Sequence, residues 1–131
     1  MFMPMAAEDV VVGIFRQIKQ HNKAKLTADR ETLHKIFYDI KIKYPEIMSV
    51  FTFREREQFP ESSQLDQALS NLDAAGLISR QNFTPRYYSF EDPLERSYNK
   101  FSKKILSDAG IYEEQLDRIA AQIELVACGK A

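Results

Sequence analysis

Residues 59–78 constrain the fold more than any other stretch of the chain. Leu65, Ala68, Leu69 and Leu72 recur at the three-to-four spacing of one helix face. Ser62 or Ser63 can cap the start, because a side-chain oxygen there accepts from an otherwise orphan backbone N–H. Gly76 suits the left-handed position that ends a helix, and Leu77-Ile78 then opens a strand. A capped amphipathic helix that reverses at glycine into a strand must dock its leucine stripe on a core built by the rest of the chain.

That core begins with a helix over residues 9–20, whose stripe is Val11, Ile14, Phe15 and Ile18, with Arg16, Lys19 and Gln20 outside. Asp9 is placed to cap it, with Glu8 beside it. Gly13 costs this helix about 1 kcal/mol of propensity, so packing has to hold it. Residues 1–8 read as a flexible tail and residues 21–25 as a polar connector. A second helix starts at Thr27 or Asp29 and carries Leu33, Ile36, Phe37, Ile40 and Tyr44 before Pro45 ends it. Residues 47–53 favour a short strand, and residues 54–58 a short exposed helical turn. Phe59 is placed to staple the entry of the next helix. Past Gly76, residues 77–81 and 86–90 read as two strands of a hairpin turning at residues 82–85. A third long helix starts near Pro93 with the stripe Leu94, Tyr98, Phe101 and Ile105, and Gly110 breaks it. The last helix carries Tyr112, Leu116, Ile119, Ile123 and Val126, a two-heptad seam that predicts a homodimer interface.

The expected fold is therefore mostly α with a small β-hairpin wing. It is a winged-helix-like domain with an added N-terminal helix (residues 9–92) followed by C-terminal helices (residues 93–131). The segment Ala68-Leu69-x-x-Leu72-x-x-x-Gly76-Leu77-Ile78 resembles the recognition-helix end of many winged-helix regulators. That resemblance covers roughly residues 29–92 and implies a DNA-binding transcription regulator. A narrower one joins Leu33-His34-Lys35-Ile36-Phe37-Tyr38 to Phe59-Pro60-x-Ser62-x-x-Leu65-x-x-Ala68-Leu69-x-x-Leu72. This pattern is similar to small prokaryotic proteins related to the Panacea and SocA-like antitoxins, where glycine stands in place of Phe59. It implies a protein–protein interaction module, an antitoxin or adaptor.

On the DNA reading, Ser63, Gln64, Gln67, Ser70 and Asn71 lie away from the leucine stripe. Gln and Asn can pair bidentately with adenine, and Ser can donate or accept. Arg80 and Arg86 near the wing would hold the phosphate backbone. The same face also reads as ordinary solvated helix surface. Charge divides the chain: residues 10–44 carry eight basic against three acidic side chains, a net of +5. Residues 54–92 carry four against seven, a net of −3, which disfavours phosphate and favours a basic partner. The basic half reads as a phosphate-facing side or as the complement of the acidic half across a dimer.

No catalytic constellation stands out, and an enzyme is not expected. His21 and His34 lack metal-ligand spacing, and His34 reads as a surface or boundary residue. The four glycines are isolated, so no phosphate loop forms. No cofactor or metal is expected. The single cysteine, Cys128, suits a reducing, cytoplasmic setting, and no apolar run approaches the ~20 residues of a membrane span.

Overall fold

In the computed structural model, the described residues are 4–21, 25–81 and 86–128. In chain order the elements are α1 (Ala7–Gln20), β1 (Lys25–Thr27), α2 (Arg30–Lys43), α3 (Ser63–Ala74), β2 (Ile78–Arg80) and β3 (Tyr87–Phe90). Then α4 (Pro93–Ser97) runs through a π-helical turn (Tyr98–Ser102) into α5 (Lys103–Asp108), and α6 (Glu113–Ala127) closes the chain. The three strands form one antiparallel sheet in the order β1-β3-β2, with Leu26 and Arg80 flanking Tyr88. The chain is thus mostly helical with a small β wing, as the sequence predicts. The turn expected at residues 82–85 lies outside the described residues.

The central segment behaves as its sequence requires. Ser62 Oγ accepts from the Leu65 N–H at 3.3 Å and caps α3. Leu65, Ala68, Leu69 and Leu72 are buried. Gly76 takes φ 77°, and the Leu77 N–H returns to the Leu72 carbonyl at 3.0 Å. Asp29 likewise caps α2, accepting from the Thr32 N–H at 3.1 Å.

The element everything packs on is α1, not α3. Its residues from Val10 to Ile18 are all buried, including Arg16 and Gln17. A helix buried on every side must be wrapped. The wrapping comes from α3 on one flank and from α4, the π turn, α5 and α6 on the others. Gly13 explains the fit, since a Cβ there would lie 2.8 Å from Leu106 Cδ1 and 2.9 Å from Leu116 Cδ1. Arg16, expected outside, is buried because the C-terminal helices close over it. Asp9 sits three residues inside the helix start rather than at the cap, and its carboxylate accepts from the Ala6 N–H at 3.0 Å. Of the expected tail, Ala7 and Glu8 are helical and Met5 packs on the core.

Four further expectations change. Leu116, Ile119 and Ile123 are fully buried in this chain's own core, while Tyr112 and Val126 (65% exposed) face out. The seam is consumed by α1, which offers an apolar surface of its own to cover, so those three are not available to a second copy. The stripe after Pro93 is Leu94, Tyr98, Ser102 and Leu106, and Phe101 is 56% exposed. That row has spacing four throughout, too wide for 3.6 residues per turn, and the π turn absorbs the difference. Residues 47–53 form no strand. Their Ile47, Met48 and Phe51 plug the core from turns, with Phe37 edge-on to Phe51 at 5.7 Å. Residues 54–58 form no helical turn; Arg54 and Glu61 pair through both backbone hydrogen bonds and close a loop. The connector leads into β1, whose three residues are too few to show a period.

The orientation of α6 can be checked by chemical denaturation. Leu116→Ala should cost about 2–5 kcal/mol as a buried truncation. Val126→Ala should stay within about 0.5 kcal/mol. Equal effects at the two positions would mean that α6 presents a different face to α1.

Candidate nucleic-acid interface

The outward face of α3 follows from its docking. Once Leu65, Ala68, Leu69 and Leu72 are inside, Ser63, Gln67, Ser70 and Asn71 share the opposite side at spacings of four, three and one, and all four are exposed. Gln67 Nε2 donates to Asn71 Oδ1 at 2.9 Å, and Asn71 Nδ2 donates to Glu8 Oε1 at 2.9 Å. Ser63 and Ser70 make no side-chain hydrogen bond among the described residues. Gln64 stands apart from this stripe. Its Oε1 accepts from the Thr52 N–H at 3.0 Å and from Ser62 Oγ at 3.1 Å, so it ties the preceding loop to the helix start. Arg80 and Arg86 are exposed at the two strands of the wing.

Behind this face lies a polar cluster that holds α3 to α2. Arg30 and His34 stand one turn apart on α2; Ser62 and Asp66 stand one turn apart at the start of α3. His34 is fully buried. Its Nδ1 accepts from the Ser62 N–H at 3.0 Å, which leaves the ring proton on Nε2, donated to Asp66 Oδ1 at 2.8 Å. Both ring nitrogens are therefore committed, and His34 positions α3 with neither nitrogen open to a substrate. Arg30 forks onto Asp66 at 3.0 and 2.7 Å and reaches Glu61 at 2.9 Å. Phe59 covers the cluster, edge-on to His34 at 6.0 Å and beneath the Arg30 guanidinium at 5.6 Å. It packs on α2 rather than acting as a helix staple.

The electrostatics follow this geometry. Burial pushes the His34 pKa below its ordinary 6.5, against the pull of the Asp66 carboxylate. Burial alone would raise Asp66, but hydrogen bonds from Arg30 and His34 outweigh it and hold it below the usual carboxylate range. Arg30 does the same to Glu61, and its own pKa is raised. Three of the seven acidic side chains in residues 54–92 are thus paired: Glu61 with Arg30 and Arg56, Asp66 with Arg30, and Asp92 with Lys19. Two of those bases belong to the basic half, so the two halves complement each other within one chain.

The structure brings together Ser63, Gln67, Ser70 and Asn71, with Arg80 across a cleft from α3. It assigns Gln64 to loop closure. Reading the sequence misses Arg30, His34 and Asp66 as a unit. The only trace is a pair of i,i+4 spacings on two helices, which gains meaning once those helices pack. Searches against protein-family models, curated proteins and solved structures return no match. No described helix is long and apolar enough to cross a membrane.

The buried neutral histidine makes stability depend on pH. Below about pH 6.5 the unfolded chain takes up a proton that folded His34 refuses, so stability is full above that value and falls as pH drops through it. His21 has the opposite sign. Burial lowers its pKa, yet bonds to Glu124 and Asp117 raise it overall, so its contribution is lost as pH rises past the elevated value. Urea midpoints at pH 7 and 5.5, for wild type and His34→Gln, separate the two, because His21 is common to both. The loss on acidification should be larger in wild type; an equal loss would show that His34 is not held neutral.

Proposed function

We propose that this chain is a cytoplasmic DNA-binding regulator of winged-helix type. On this reading α3 enters the major groove. Gln67 and Asn71 address base edges, Ser63 and Ser70 assist, and Arg80 and Arg86 hold phosphates from the wing. The observation that carries the reading is the exposed stripe Ser63, Gln67, Ser70 and Asn71 on a helix flanked by the α2 clamp and by the β2–β3 wing. Internal pairing of Glu61 and Asp66 supports it by reducing the negative charge that a phosphate would meet. The Gln67–Asn71 bond is local and exposed, so base edges can replace it at small cost. Pairing of two copies, common where operators are palindromic, would use the outward Leu125 and Val126 of α6 and Tyr112 just before it.

A second reading, a protein-interaction module without DNA binding, is favoured by one observation. Glu8 stands at Asn71, and Asp73 is exposed one turn from Ser70, so the far end of the face is acidic. A basic partner surface would complement it.

The discriminating experiment is fluorescence anisotropy with labelled fragments upstream of the protein's own gene, at low and physiological salt. A saturable signal that survives competitor DNA is expected. Gln67→Ala should then lower specific affinity by ~1–3 kcal/mol. Arg80→Ala should weaken all sequences alike and reduce the salt slope by about one. Absence of saturable binding at low salt would end the DNA reading in favour of the acidic-face module.

A further inference from the structure

Between α3 and the sheet lies a cleft of about 240 Å³ whose two walls carry complementary sets of uncommitted polar groups. The sheet wall supplies Arg80 and Tyr88, paired directly across β2 and β3, so their side chains stand side by side on one face. The helix wall supplies Ser70 and Asp73, three apart and therefore on one side of α3. Leu33 and Leu69 line it as well, and both are buried. Arg30 and Asp66 also reach the cleft, but they are already neutralised by each other.

None of the four groups is satisfied within the described residues. Tyr88 is 9% exposed, and its hydroxyl, which makes no hydrogen bond among the described residues, is not itself buried but stays open to the cleft. Burial raises its pKa, so it stays a protonated donor. Arg80 and Asp73 line the same cleft without pairing. Ser70 Oγ is free to donate or accept. One wall thus offers a cation and a hydroxyl donor, and the other offers an anion and a hydroxyl. The volume is below the ~300–1,000 Å³ of drug-sized pockets, so the occupant is small.

We infer that this cleft binds a small zwitterion of the α-amino acid class. Its carboxylate takes the Arg80 guanidinium and the Tyr88 hydroxyl, its ammonium takes the Asp73 carboxylate and Ser70 Oγ, and its short apolar body lies toward Leu33 and Leu69. A ligand carrying only one charge would leave the opposite wall unpaired. The occupant bridges α3 to the wing and engages Ser70 and Arg80, two of the groups assigned above to DNA. Its regulatory consequence, competition with DNA, rests on that reading; its binding does not.

The test is isothermal titration of the intact chain with each standard L-amino acid, without DNA. Saturable heat from one or a few is expected. Asp73→Asn, Tyr88→Phe and Arg80→Ala should each weaken it about tenfold or more, the share of a hydrogen bond to a charged group. Acetate and methylammonium, each with one charged end, should bind at least about tenfold more weakly than the amino acid. No binding by any amino acid at millimolar concentration overturns the inference. So does binding that survives all three substitutions, or equal binding of a single-charge probe. Repeating the DNA anisotropy with the bound amino acid tests the consequence separately. If amino acids bind but no DNA does, the regulator reading fails and the cleft stands.

Discussion

The structure depends on the complete enclosure of α1. A helix buried from Val10 to Ile18 cannot belong to the winged portion alone, because α3 covers only one of its flanks. The C-terminal helices are therefore structural, and Gly13 lets them come close enough. Arg16 then sits buried at the junction and must be paired, since a lone buried cation is costly. Its guanidinium forks onto Glu95 at 2.8 and 3.0 Å, reaches Glu113 at 3.2 Å and lies 4.7 Å from the centre of the Tyr98 ring. Hydrogen bonding to Glu95 raises the Arg16 pKa, and Arg16 in turn lowers that of Glu95. Burial beside Glu113 pushes the Tyr98 hydroxyl up to about 12. Both carboxylates keep one side in water, which limits their desolvation cost. One arginine on α1 thus fixes α4, the π turn and α6 in register.

A second clamp, of similar chemistry, sets the angle between α2 and α3. Here the buried group is neutral His34, and the charges of Arg30, Glu61 and Asp66 sit nearer solvent. The two clamps differ in what they fix. Arg16 fastens the C-terminal helices to the core, whereas His34 fastens the capping residue of the helix whose outer face is polar. Disturbing the first acts on global stability, and disturbing the second acts first on where α3 points. The basic and acidic halves of the sequence, suggestive of a complementary dimer, find much of their complement through these intrachain pairs.

Local chemistry carried the parts of the fold that the sequence made readable. The Ser62 cap, the leucine stripe of α3, Gly76 and the two wing strands each follow from interactions within a few residues, and the structure keeps all of them. The parts that were not readable depend on what packs against what. Periodicity found the apolar face of α6 but could not tell α1 from a second copy as its cover. It could not foresee a π turn, which exists to keep Leu94, Tyr98, Ser102 and Leu106 on one line. The β propensity of residues 47–53 lost to the core's need for Met48 and Phe51 as plugs. At the candidate site, the exposed stripe was readable because exposure is the inverse of the leucine pattern. The assignment of Gln64 to loop closure was not, because Thr52, its partner, is twelve residues away.

Function in such a chain has to be sought among the polar groups that the fold leaves over. Gln64, Asp66, Arg30, His34 and Arg16 are all spent on structure. Ser63, Ser70, Asp73, Arg80 and Tyr88 make no side-chain hydrogen bond or ion pair among the described residues, and they gather on α3 and on β2 and β3 beside it. Tyr88 is the informative member. Its ring is buried while its hydroxyl, without a protein partner among the described residues, opens into the cleft, so the ring fixes the donor in place for whatever enters there. The same α3 thus presents two polar surfaces, an outer stripe of Ser63, Gln67, Ser70 and Asn71 and an inner edge of Ser70 and Asp73 facing the cleft. Ser70 lies on both, so if both proposals hold, the two ligands would compete for it without any change of fold.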